Sequence, residues 1–107
     1  MGGIGSIGYN PDKADVVDTD YQTASVAVST SQVEAKTDTS TLDSRQLLTI
    51  SNKGPNTLYY GPSGVTASTG DFLLRGQTVA LYVGPNISVY MICATGKSAT
   101  AIVQEYS

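Results

Sequence analysis

Three Gly-Pro turns, Gly54-Pro55-Asn56, Gly61-Pro62-Ser63 and Gly84-Pro85-Asn86, cut the chain between Arg45 and Tyr106 into short apolar runs. Proline fixes φ and removes a backbone donor, while Gly and Asn tolerate positive φ, so each tripeptide stops a strand and reverses it. Strands are expected at Ala24–Val28, Gln32–Lys36, Gln46–Asn52, Thr57–Gly61, Phe72–Leu74, Gln77–Val83, Ile87–Ala94 and Ser98–Gln104. The Ser-, Thr- and Asp-rich segment 37–44 and the small-residue segment 63–70 read as surface loops. No run of helical period interrupts the series, so the chain is expected to be all-β.

Alternation along these runs sorts the residues onto two faces. Val79, Leu81 and Val83 point one way, and Thr78, Ala80 and Tyr82 the other. Ile87, Val89, Met91 and Cys93 are expected in the core, as are Ala99, Ala101 and Val103, with Ser88, Tyr90, Ile92, Ile102 and Tyr106 opposite. Several strands thus carry aromatic or aliphatic residues on the face that should meet water. Such patches mark contact surfaces. Tyr59, Tyr82, Tyr90 and Ile92 are the candidate oligomer contacts.

The first 23 residues have a different character. Gly and Ile alternate up to Gly8, Asn10-Pro11-Asp12 marks a turn, and Asp12, Asp15, Asp18 and Asp20 follow in quick succession. Such a stretch buries too little apolar area to order itself. The expected organisation is an extended arm over residues 1–23 and one β-sandwich over 24–107, within the size of a single domain. Ile4, Ile7, Tyr9, Val16, Val17 and Tyr21 are candidate arm anchors, and Asp12, Asp15, Asp18 and Asp20 candidate charge partners for a basic surface.

Much chemistry is excluded by absence. There is no histidine, which removes Ser-His-Asp and Cys-His catalysis, and the single cysteine, Cys93, precludes both an intrachain disulfide and a zinc set. In the strand-rich half only Asp71 and Glu105 could serve acid–base work; Asp71 reads as a turn residue and Glu105 as a surface residue near the end. Gly3-Ile4-Gly5-Ser6-Ile7-Gly8 matches the letters of a dinucleotide fingerprint but runs into Asn-Pro rather than a helix. The arm aspartates lack the register of a calcium loop. Six scattered basic residues in a chain of net charge −3 cannot neutralise a row of phosphates, so no nucleic acid is expected. No apolar run approaches membrane-spanning length and no leader pattern opens the sequence; neither a membrane nor a secretory route is expected. No cofactor, metal or small-molecule substrate follows from these residues, and an enzyme is not expected.

The phrases Leu48-Thr49-Ile50-Ser51-Asn52, Asn56-Thr57-Leu58-Tyr59-Tyr60-Gly61, Gly64-Val65-Thr66, Thr69-Gly70, Leu73-Leu74, Gly76-Gln77 and Val89-Tyr90-Met91-Ile92-Cys93-Ala94 extend the pattern. Over a little more than half the chain it resembles the small β-sandwich virion structural proteins of tailed bacteriophages, many of them capsid decoration, or cement, proteins. That family offers no catalytic residues to transfer. The resemblance implies a rigid, jelly-roll-like sandwich made in the host cytoplasm and placed on the virion's capsid surface. Its implied partners are the major capsid protein and further copies of itself, a trimer being favoured, gripped through the N-terminal arm. The alternative it leaves open is a tail- or fibre-associated binding knob or another virion subunit. The two candidate loops contain no aromatic residue, which weighs against a sugar-binding knob.

Overall fold

A computed structural model describes residues 20–107. Among these described residues are eight strands and no helix: β1 (Tyr21–Val28), β2 (Val33–Glu34), β3 (Leu47–Pro55), β4 (Leu58–Gly61), β5 (Asp71–Leu73), β6 (Thr78–Leu81), β7 (Tyr90–Cys93) and β8 (Ala99–Tyr106). Every expected strand is present, although boundaries move. β1 begins at Tyr21, before the expected start at Ala24, so residues 21–23 are sheet and not arm. β3 runs past Asn52 through Gly54-Pro55, the first of the turn tripeptides, by way of a register shift between Asn52 and Pro55. Asp71 opens β5 opposite Tyr60 and does not sit in a turn.

The strands form two antiparallel sheets packed together, ordered β1-β8-β3-β6 and β2-β7-β4-β5. Period-two alternation places one face of each sheet inside. Val28, Leu48, Ile50, Ala99, Ala101 and Val103 come from the first sheet; Leu58, Leu73, Met91 and Cys93 come from the second. Val79, Leu81 and Val83 pack against this core from the first sheet's edge, on the face expected of them. Ile87 does not join it: β7 begins only at Tyr90, and Ile87 sits in the preceding connection, 55% exposed.

Two polar nodes lie inside this apolar shell. Asn52 is buried on β3; its Nδ2 donates to the Asn56 and Leu73 carbonyls (2.9 and 2.8 Å), and its Oδ1 accepts the Gly54 N–H at 2.7 Å. One side chain therefore fixes the β3–β4 turn and ties it to β5. Gly54 has φ +87°, a conformation that favours glycine, and a Cβ there would also push aside the exposed Arg75 side chain, whose Cδ lies 2.7 Å from that position.

The second node is an ion pair. Arg45 donates to Glu105 Oε2 at 2.8 Å, with both side chains fully buried. Arg45 also donates to the carbonyls of Val83, Gly84 and Ile87, pinning the β6–β7 connection. Glu105 accepts from the Thr37 hydroxyl and N–H at Oε1 (2.6 and 3.0 Å) and from the Leu42 N–H at Oε2, pinning the β2–β3 loop. Burial alone would push the Glu105 carboxyl up, but the bonds from Thr37, Arg45 and Leu42 outweigh it and hold it below the usual carboxylate range. Glu105 is thus a central interior residue, contrary to its expected surface position. On β8 it falls in phase with Ala99, Ala101 and Val103, so the period places it inside, and Arg45 makes that burial tolerable.

Candidate interaction surface

The outer faces of the two sheets differ in chemistry. On the second sheet, β7, β4 and β5 place Ile92, Tyr59 and Phe72 directly across from one another. These residues alternate with the buried Leu58, Leu73, Met91 and Cys93, which puts them on the outside. Tyr90 lies two positions along β7 from Ile92, opposite Glu34 of β2 and Gly61 of β4. The result is a continuous aromatic and aliphatic strip across the sheet. Ile92, Tyr59 and Tyr90 are half-buried, while Phe72 at the β5 edge is 62% exposed. Leu74, next but one to Phe72, is also exposed. Glu34 and Lys36, paired at 3.5 Å, form a charged rim on the β2 side.

The loop before β5 holds Tyr59 from one side. A Cβ on Gly70 would come within 2.7 Å of Val65 Cγ2 and 3.1 Å of Tyr59 Cβ, so only glycine lets the loop lie this close to the strip. Tyr60, the inward neighbour of Tyr59, packs against the core. Burial, and secondarily the charge of Asp71 opposite it, push its hydroxyl pKa up, so it stays neutral. Burial likewise pushes the Cys93 thiol up. The cysteine is a buried core residue, as expected from its phase, and not a reactive one.

On the first sheet the outer rows are Thr23–Gln104–Thr49–Ala80 and Ser25–Ile102–Ser51–Thr78, closed at one end by Tyr21–Tyr106–Leu47. Here polar groups satisfy one another. Thr49 Oγ1 and the Tyr106 hydroxyl donate to Gln104 Oε1, Gln104 Nε2 donates to the Tyr21 hydroxyl, and Ser51 and Thr78 share a 2.7 Å bond. The Tyr21 and Tyr106 rings stack with centroids 4.8 Å apart.

Of the four candidate oligomer contacts, the structure brings Tyr59, Tyr90 and Ile92 onto one face. Tyr82 is 76% exposed but follows β6 of the other sheet, and does not join them. Phe72, which completes the strip, was missed by sequence reasoning; its signal was that of the chain's one phenylalanine in a run short enough to be an edge. Of the expected arm residues, Ile4, Ile7, Tyr9, Asp12, Asp15, Val16, Val17 and Asp18 lie outside the described residues. Tyr21 belongs to β1, and the Asp20 carboxylate accepts the Tyr21 N–H at 2.8 Å.

Two open clefts accompany these faces. One, of ≈ 280 Å³, lies among Asp20, Gln22, Asp38, Thr41 and Asp43; the other, of ≈ 340 Å³, lies among Ser51, Lys53, Arg75 and Gly76. Among the described residues no group of three or more His, Cys, Asp and Glu could hold a metal ion. No protein-family model matches the chain, and no curated protein matches its sequence.

Proposed function

We propose that the protein is a virion structural subunit, a decoration protein that binds and stabilises the outer shell of a tailed phage, and not an enzyme. The observation that carries this reading is the strip Ile92–Tyr59–Phe72 with Tyr90, an apolar surface on the outside of a sandwich that has its own buried core. A cross-strand aromatic row offers large contact area at little conformational cost, because sheet neighbours already restrain its side chains. The Glu34–Lys36 rim suits an interface with an apolar centre and a polar edge. The sandwich itself is read as a jelly roll. The order β1-β8-β3-β6 facing β2-β7-β4-β5 is what two nested Greek keys of eight strands produce.

In this reading the strip docks on the major capsid protein, and residues 1–19 act as an arm that supplies further contacts to neighbouring subunits. Weak contacts repeated by shell symmetry add through effective concentration. The alternative, a tail-associated knob, would leave the strip for a receptor. The test is co-sedimentation of the full chain with undecorated shells of the virus that encodes it. Saturable binding that Phe72→Ser weakens at least tenfold supports the proposal. No binding, or binding indifferent to Phe72→Ser and to removal of residues 1–19, contradicts it.

A further inference from the structure

The four sheet edges are unequal. β2, β5 and β6 have two, three and four residues, whereas β1 has eight and, among the described residues, pairs only with β8, in unbroken register. Long edges are ordinarily blunted by charge, proline or a bulge. β1, Tyr-Gln-Thr-Ala-Ser-Val-Ala-Val, contains none of these.

Its hydrogen-bonding parity shows which groups face outward. The Ser107 N–H donates to the Asp20 carbonyl at 3.0 Å, continuing the β1–β8 ladder. Backbone groups of Asp20, Gln22, Ala24, Val26 and Val28 therefore face β8, and those of Tyr21, Thr23, Ser25 and Ala27 face away from it. The Asp20 carboxylate caps the Tyr21 N–H, leaving Thr23, Ser25 and Ala27, centred on Ser25. All three are exposed, and the inward-facing Ala24 and Val26 are only half-buried, whereas Ala101 and Val103 opposite them on β8 are fully buried. The core is thus left open along this rim.

We propose that β1 pairs with β1 of a second copy, antiparallel about a two-fold axis at Ser25, joining two four-stranded sheets into one. Thr23 then lies opposite Ala27 of the second copy, Ser25 opposite Ser25, and on the inner side Ala24 opposite Val26. Thr, Ser, Ala and Val meet at the centre, with Gln22 opposite Val28 on either side, so no bulky ring and no pair of charges is brought face to face. The Asp20 residues stand at opposite ends of the pair. A strand that satisfies its own sequence under two-fold rotation makes the same contact from both sides. The contact is separate from the aromatic strip and stands whether or not the chain decorates a shell. Its symmetry is two-fold, where the resemblance to decoration proteins favours a trimer.

The experiment combines the mass of the full chain by sedimentation with disulfide trapping. Residues opposite each other in a hydrogen-bonded antiparallel pair have Cα atoms about 5.5 Å apart, inside the disulfide range. Ser25→Cys should cross-link to a covalent dimer under mild oxidation, while the wild-type chain, with Cys93 buried, should not. The wild-type chain should sediment at twice its 11.1 kDa. Thr23→Lys/Ala27→Lys, on exposed positions, should sediment as a folded monomer that melts cooperatively, at a temperature no higher than wild type and independent of concentration, because the stabilisation from pairing is lost. A wild-type monomer at every concentration, whether its β1 amides exchange freely or are protected, overturns the proposal; so does a trimer. A dimer that survives both lysines but is lost in Phe72→Ser overturns it as well. Should the lysine variant fail to fold, absence of the Ser25→Cys cross-link is sufficient to reject it.

Discussion

The two sheets share one core but divide its tasks. The first has three strands of eight or nine residues, contributes Asn52, Arg45's partner Glu105 and most of the small aliphatic interior, and presents hydroxyls already bonded to one another. The second has strands of two to four residues, contributes few buried side chains, and presents an aromatic strip. Hydrogen-bonded hydroxyls gain little from a partner that would displace their water, whereas exposed aromatic area gains from being covered. Stability is therefore concentrated in the first sheet and its loops, and the proposed recognition surface lies on the outside of the second.

The largest effect expected of a single substitution lies at the ion pair. Arg45→Met strands a buried carboxylate and should cost about 3–5 kcal/mol in urea unfolding, a large fraction of the stability of a domain this size. The double replacement Arg45→Met/Glu105→Leu should recover only part of that loss, since it removes the stranded charge but leaves the Thr37 and Leu42 N–H groups and the Val83, Gly84 and Ile87 carbonyls without their partners. A single variant within about 1 kcal/mol of wild type would show that the pair does not hold the loops.

Acid should act on the same node. The Glu105 carboxyl is held below its unfolded value, so its contribution is complete above the ordinary carboxylate range, about pH 4.3, and is lost as pH falls through the lower folded value. Wild type should lose stability more steeply below about pH 4 than Glu105→Gln does. Parallel acid limbs would remove Glu105 from the account.

Next in size is Asn52→Ala, which leaves the Asn56 and Leu73 carbonyls and the Gly54 N–H without their partner; about 2–3 kcal/mol is expected from chemical denaturation. By contrast Phe72→Ser, on the second sheet, should change stability by less than about 1 kcal/mol, because the side chain is mostly exposed already. Smallest is Thr49→Ala on the first sheet's outer face, within about 0.5 kcal/mol and with no effect on association. A Phe72→Ser penalty larger than that of Asn52→Ala would reverse the proposed division.

The sequence made some of this division readable and hid the rest. Gly-Pro turns and period-two alternation located all eight strands, because both signals are local. The alternation also set Tyr59, Tyr90 and Ile92 on an outer face, and Cys93 inside. It could not group them with Phe72 or separate them from Tyr82, since strand order is a property of long-range pairing: β4 lies between β5 and β7, whereas β6 belongs to the other sheet. Glu105 was misplaced for a related reason. Its phase along β8 pointed inward, but its charge argued for the surface, and the compensating Arg45 stands 60 residues away. The phase of Ile87 agrees with Val89 and predicts a core position; the residue is exposed because the strand has not yet begun.

The central claim, that the second sheet's strip is the recognition surface, is tested most directly by binding of matched variants to undecorated shells. Phe72→Ser and Thr49→Ala, both folded and each changed on one outer face, would be titrated in parallel against the same shells. The account predicts an affinity loss of at least tenfold for Phe72→Ser and none for Thr49→Ala. Equal affinities, or a loss confined to Thr49→Ala, would contradict it.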